Sequence, residues 1–271
     1  MPTMTASEKA SPLFIASFAK GLALLSSFRG EHTSLSLVDM AEITGLNKST
    51  VQRLAFTLET LGYFAKDPQT RRYRLTPKSL EIGTGYLQTS ELVERANPYL
   101  HELNGSTEES CNLLEPCETD MIYVSRFAGH KQISVPIALG QRLPMYCSSS
   151  GRAFLAALPA ASADAILQRS KLQAFTHKTE TDPQALRAAI AEAREVGYAT
   201  SNEQYYIGDL AVAAAIVNGQ GEPLAAINIA VPFSRWTLAS VIEKLAPQVV
   251  NTARAISNAA RSLRPLSDHN R

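Results

Sequence analysis

Charge imbalance, paired cysteines and long apolar runs are all missing from these 271 residues, and each absence removes a class of function. Twenty-six lysines and arginines stand against 25 aspartates and glutamates, a formal charge of +1. Affinity for a polyanion must therefore come from a local basic surface, not from the chain average. Cys111, Cys117 and Cys147 are odd in number and lack the paired two-residue spacing of a zinc site. They read as free thiols in a reducing compartment, the cytosol. No run approaches the roughly 18 uninterrupted apolar residues of a membrane span, and the opening MPTMTASEKASP lacks the apolar centre of a signal peptide. Neither membrane insertion nor secretion is expected. His101, His130 and His177 are scattered and no metal-ligand spacing occurs, so neither a metal nor a cofactor is expected.

A chain of this length accommodates two domains. In the first ninety residues, Phe18, Leu22, Leu24, Leu25 and Phe28 recur at helical spacing over Ser17 to Phe28 and stop at Gly30. Leu35, Leu37, Val38, Ala41 and Ile43 give a second short helix ending at Gly45, where a missing Cβ suits a left-handed turn. A third helix follows at once, with Asn47 as N-cap and an inward stripe of Val51, Leu54, Leu58 and Leu61. Its outward start carries Lys48, Ser49, Gln52 and Arg53. A recognition helix meets base edges and phosphates with its N-terminal turns, which is where such hydrogen-bonding side chains are needed.

The next segment reads as a β-hairpin: Tyr63 to Ala65, a turn at Lys66 to Thr70, then Arg71 to Leu75. A hairpin in this place is a wing. Between residues 46 and 78 the basic residues Lys48, Arg53, Lys66, Arg71, Arg72, Arg74 and Lys78 face only Glu59 and Asp67. A nearly neutral chain thus concentrates positive charge on one segment, and duplex DNA is the expected partner, with Asn47, Lys48, Ser49, Thr50, Gln52, Arg53, Arg71 and Arg72 as candidate contacts. Leu80, Ile82, Tyr86 and Leu87 then suggest a connecting helix with exposed apolar positions for a second copy of the chain. A symmetric dimer would read a pseudo-palindromic operator.

After Pro98 the pattern changes to short apolar strands at Ser110 to Leu114, Met121 to Arg126 and Lys131 to Ala138. Helices follow at Ser150 to Leu158, Ala163 to Gln168 and Pro183 to Val196. Strands at Ala211 to Val217 and Leu224 to Val231 are joined by the turn Asn218 to Gly221, and a last helix spans Leu238 to Ser262. This is an α+β domain, an antiparallel sheet with helices packed on it. Its suggestive stretch is GQRLPMYCSSSGRAFLAALP, residues 140–159. Three serines at a helix entry bring hydroxyls and free N–H groups to a positive dipole end, a ready site for a carboxylate. The competing expectation is a serine hydrolase, which the missing G-x-S-x-G elbow and the absence of a placed His–acid pair disfavour.

The ordered series GLNKSTVQRLAFTLETLGY, YRLTPKSLEIG, RLPMYCSSSGRAFLAALP, EVGYATSNEQYYIG and PLAAINIAVP resembles the IclR family of bacterial transcription regulators over about residues 15–262, and looks most like its aromatic-acid catabolism branch. The resemblance implies a winged helix-turn-helix at 12–77, a linker helix at 78–92 and a GAF-like effector domain at 93–264, with disordered tails at 1–11 and 265–271. It also implies a homodimer or a dimer of dimers, no enzymatic activity, and an effector cup at the SSSGRA loop. By matching motif the cup would include Val135, Leu143, Ser149, Ser150, Ser201, Asn202, Asp209, Ala211, Asn228 and Ala230. Ala211, Asn228 and Ala230 stand where relatives with small keto-acid effectors have a cysteine and serines. The extra room favours an aromatic carboxylic acid over an aliphatic keto or dicarboxylic acid.

Overall fold

The computed structural model describes residues 11–28, 32–129 and 137–265. It divides into two compact units, residues 1–88 and 89–271, built on an α+β plan.

The first unit contains α1 (Ala16–Leu25), α2 (Leu37–Thr44), α3 (Lys48–Thr60) and the hairpin β1 (Phe64–Lys66) and β2 (Tyr73–Leu75). Leu24, Leu35, Met40, Val51, Ala55, Phe64 and Tyr73 form its core. The α2 start is fixed by a reciprocal cap, in which Ser36 Oγ accepts from the Asp39 N–H and Asp39 Oδ2 from the Ser36 N–H. Gly45, at φ +67°, ends α2 in the left-handed region, and Asn47 starts α3 by accepting from the Thr50 N–H at 2.8 Å. A lone β-bridge from Leu35 to Tyr73 ties the hairpin to the segment before α2. Two expectations change here. The first helix ends at Leu25, where Ser27 Oγ donates to the Leu24 carbonyl, and Phe28 instead packs edge-on against Phe64. Leu61, expected to point inward, is 54% exposed.

Helix α4 (Leu80–Thr89) crosses the division between units and buries none of its residues. In the second unit, six antiparallel strands run in the order β5-β4-β3-β8-β7-β6: β3 (Ser110–Cys117), β4 (Asp120–Phe127), β5 (Arg142–Pro144), β6 (Ala199–Asn202), β7 (Asp209–Val217) and β8 (Pro223–Pro232). One face packs on α5 (Glu91–Thr107) and α10 (Ala246–Ala259); the other, called the inner face below, packs on α6 (Ser149–Ala157). Helix α8 (Pro183–Val196) backs α6, and α7 (Ala160–Arg169) and α9 (Leu238–Lys244) complete the unit. Because both faces are covered, β7 (DLAVAAAIV) and β8 (PLAAINIAVP) read as continuous apolar runs.

Small residues on β7 and β8 let α6 approach closely. A Cβ placed on Gly151 would lie 2.1 Å from Met145 Cα and 2.4 Å from its carbonyl oxygen, so helix start and preceding loop meet backbone to backbone. Beyond the expected elements, α5 runs straight through Pro98 and β5 and β6 are additional strands. The last helix is two, α9 and α10, divided at Leu245 where Pro247 opens α10. Of the strand expected at 131–138, residues 131–136 lie outside the described residues, and Ile137 and Ala138 are not in a strand. Among the described residues, no helix is long and apolar enough to cross a membrane.

Candidate functional site

In the first unit, burying Val51 and Ala55 turns the opposite side of α3 outward, so that Asn47, Lys48, Ser49, Gln52 and Arg53 are exposed and Thr50 is half-buried. Asn47 Oδ1 accepts from both Ser49 Oγ and the Thr50 N–H. Phe56, one turn beyond Gln52, is 67% exposed on the same side. The wing turn is organised by Asp67, whose Oδ1 accepts from the N–H groups of Gln69 and Thr70 at 2.8 and 3.0 Å. Those bonds hold its carboxyl below the usual range.

The two candidate wing arginines differ. Arg71 is exposed, with a left-handed backbone at φ 57°. Arg72 is spent internally: Nε donates to Ser34 Oγ, and Nη2 to the Ser34 carbonyl and to Asp39 Oδ2 at 2.7 Å. Its guanidinium anchors the wing to α2, which leaves Arg71 the more available of the two expected contacts.

In the second unit, strand register sorts the expected effector residues. Ser201 opposes Ala211, Ala211 opposes Ala230, and Asn228 opposes both Ala213 and Asn112. With Ser110 these residues share the inner face, since side chains two apart on a strand point the same way. Asn202 alternates with Ser201 and so belongs to the other face; its Oδ1 is buried without a partner among the described residues. Leu143 pairs with Met121 at the sheet's edge and is part of the apolar core. Val135 lies outside the described residues.

The serine turn is wholly interior. Ser148 Oγ caps α6 by accepting from the Gly151 N–H and itself donates to the Pro144 carbonyl. Ser149 and Ser150 are buried, and Ser150 Oγ has no partner among the described residues. Arg152, on the next turn, is buried, with Gln204 Oε1 and the Thr200 carbonyl as acceptors. Burial holds its guanidinium below its ordinary value. Cys111 and Cys147 are likewise buried and free, their thiols pushed up to about 12 by desolvation, which makes them inert.

Beside this polar patch a cavity of about 380 Å³ opens, lined by Glu109, Ser110, Arg126, Ile137, Ile207, Asp209, Ala230 and Phe233 among others. Of the expected effector residues that are described, Asp209 and Ala230 line it. Ser149, Ser150, Ser201, Ala211 and Asn228 are not among its walls, although Ser201, Ala211 and Asn228 share its face of the sheet. Burial pushes the Asp209 carboxyl up to about 7, against a downward pull from Arg126. Glu109 is neutralised in place, with Arg235 donating to both oxygens at 2.6 and 2.7 Å and Trp236 Nε1 to one.

The residues missed from sequence are Ser110, Asn112 and Arg126. Asn112 is fully buried, its Nδ2 donating to Asn228 Oδ1 at 2.8 Å while its own Oδ1 is unmatched among the described residues. The available signal was a polar side chain within a mostly apolar strand, Asn112 before Leu113 and Leu114 in SCNLLEPC and Arg126 near the end of DMIYVSRF.

A unit presenting a basic helix start and wing, on the same chain as a sheet domain with a mostly apolar cavity carrying a few polar groups, defines a transcription regulator with separate DNA-binding and small-molecule domains. Family comparison agrees over most of the chain. The IclR helix-turn-helix domain matches residues 17–68, and the bacterial transcriptional regulator IclR C-terminal domain matches residues 84–258. The chain belongs to the IclR family of transcriptional regulators, which are not enzymes. It is 32% identical over 244 residues to the Pca regulon regulatory protein of Pseudomonas putida, covering 90% of this chain and 83% of that one. To the transcriptional repressor IclR of Escherichia coli K12 it is 29% identical over 252 residues, 92% of each. An IclR homolog from Microbacterium hydrocarbonoxydans, crystallised with 4-hydroxybenzoate, shares the fold with a TM-score of 0.72 at 22% identity, covering 92% of this chain and all of that one.

Proposed function

We propose that the protein is a cytosolic regulator that binds a pseudo-palindromic operator as a homodimer and is controlled by a small aromatic carboxylic acid held on the inner face of the second unit's sheet. The observation that carries the effector half is the cavity itself: mostly apolar walls with a guanidinium, Arg126, the carboxyls of Glu109 and Asp209, and the hydroxyls of Ser110 and Ser234. Arg126 takes the carboxylate in this reading, because it lines the cavity whereas Ser148, Ser149 and Ser150 are not among its described walls. The similarity to a Pca regulon regulator supports a catabolic role, and 4-hydroxybenzoate, bound by the similarly folded Microbacterium protein, is the natural first probe.

DNA is read by Lys48, Ser49, Gln52 and Arg53 in the major groove, with Arg71 on the flanking phosphates. Exposed Leu80, Ile82 and Tyr86 on α4, and Ile15 and Phe18 at α1, supply apolar surface for the partner copy. An effector alters DNA affinity only by preferring one arrangement of the dimer, and a coupling of roughly 1 to 3 kcal/mol is ordinary.

Fluorescence anisotropy on the fragment upstream of the protein's own gene tests this. Gln52→Ala and Arg53→Ala each weaken binding about 10- to 100-fold without lowering the melting temperature. Undiminished affinity in both removes the recognition-helix assignment. A panel of aromatic acids raises the melting temperature of the free protein, and no shift with any of them removes the effector half.

A further inference from the structure

We propose that Phe56 is a specificity-determining residue of the DNA-binding face, its ring packing on the 5-methyl group of a thymine in the major groove. This rests on the recognition-helix reading above and adds an apolar, base-selective contact to a helix start that otherwise works by charge and hydrogen bonding.

The helix itself places the ring. Val51 and Ala55 are buried, which turns Ser49, Gln52, Arg53, Phe56 and Thr60 outward, all of them exposed. At 3.6 residues per turn these five form one stripe, and Phe56 lies on its midline, just beyond Gln52 and Arg53. Single exposed apolar residues are ordinary on a protein surface. This one, 67% exposed, stands in the middle of the face whose start is cationic. Leu54, the residue of α3 that faces Gly21 of α1, lies roughly 160° round the helix from it. Phe56 therefore points away from α1, whose Ile15 and Phe18 supply surface for the partner copy.

The far end of the stripe is apolar by construction. Thr57 and Thr60 donate their hydroxyls to the carbonyls of Arg53 and Phe56 at 3.0 and 2.9 Å, so beyond Arg53 the helix presents a ring and methyl groups. A phenyl flanked by Lys48 and Arg53 fits a surface that is anionic at its edges and apolar at one point of its floor. The major groove is such a surface, with phosphates along both walls and a methyl group only where the base is thymine. Over any other base the ring would cover donors or acceptors and give nothing back. From Ser49 to Phe56 the helix advances about 10.5 Å, on the order of three base-pair steps, which keeps both contacts within one half-site.

Fluorescence anisotropy of the full-length protein tests this, on the fragment upstream of its own gene made with thymine or with uracil. Uracil keeps every hydrogen-bonding atom and lacks only the methyl. Losing one buried methyl costs about three- to fourfold, so a dimer on two half-sites binds the uracil fragment about tenfold more weakly. Phe56→Ala weakens binding to the thymine fragment by a similar factor and no longer distinguishes the two, whereas Gln52→Ala still does. Single uracil substitutions place the loss at one matching step in each half-site. A merely structural Phe56 would weaken both fragments alike and keep their ratio. Equal binding of the two fragments by wild type, or an unchanged ratio in Phe56→Ala, overturns the proposal and leaves the recognition-helix reading standing. The wild-type comparison needs no variant to fold. If wild type binds neither fragment, both fail.

Discussion

On α3, Lys48, Gln52 and Arg53 stand in solvent while the other side of the helix is packed. On the inner face of the sheet Asn112 and Asn228, and on the helix above it Ser150, have been taken inside, where each hydrogen bond not made is a standing cost. The first unit can change its outward residues without disturbing its core, because nothing rests on them. The second has its recognition groups and its packing in the same layer, so any change to one is felt by the other. Reading a duplex requires reach; enclosing a small molecule requires desolvation.

The sharpest way to break this contrast is with glycine. Gly151→Ala forces a Cβ into the Met145 backbone and is expected to cost more than about 3 kcal/mol, beyond ordinary overpacking. Gly45→Ala, at φ +67° with no atom within 4 Å of the new Cβ, costs about 1 kcal/mol of local strain. Thermal unfolding of the two variants measures both; equal losses would refute the backbone contact.

A smaller effect follows from Asp209. Its carboxyl holds a proton more tightly in the folded state, at about 7, than at the ordinary 3.8. The stability this provides is present on the acid side and is lost as pH rises from about 4 to 7, by up to about 1.4 kcal/mol per pH unit. Above that range the contribution is constant. Denaturant titrations at several pH values show this decline in wild type, and Asp209→Asn flattens it; identical profiles would place the carboxyl in water.

The smallest effect separates two adjacent arginines. Arg72→Ala frees the wing from Ser34 and Asp39 and lowers the melting temperature, whereas Arg71→Ala leaves it unchanged and weakens only DNA binding. The reverse pattern would make Arg72 the DNA-facing one of the two.

Much of the first unit was legible because its signals are local. An N-cap, a left-handed glycine and a 3.6-residue stripe all lie within a dozen positions of one another, and Asn47, Gly45 and Val51 sit where that pattern puts them. Arg72 was not legible, since its partners lie 33 and 38 positions away. The second unit's main strands were readable as apolar runs, but its cavity was not. Ser110, Arg126, Asp209 and Ala230 come from four strands spread over more than a hundred residues, and only register brings them to one face. Pro98 misled in the opposite direction, reading as a boundary inside what is one continuous helix.

Alanine dominates the inner surface of β7 and β8, at Ala211, Ala213, Ala226 and Ala230. Ala213 and Ala226 belong to the apolar core under α6, whereas Ala230 lines the cavity, whose depth is thus adjustable by a methyl at that one position. Valine or serine at Ala230 would trim or polarise the space while the strands stay where they are. A lineage could thus exchange one metabolite for another and keep the same promoter, because the surface that reads the duplex shares none of these side chains.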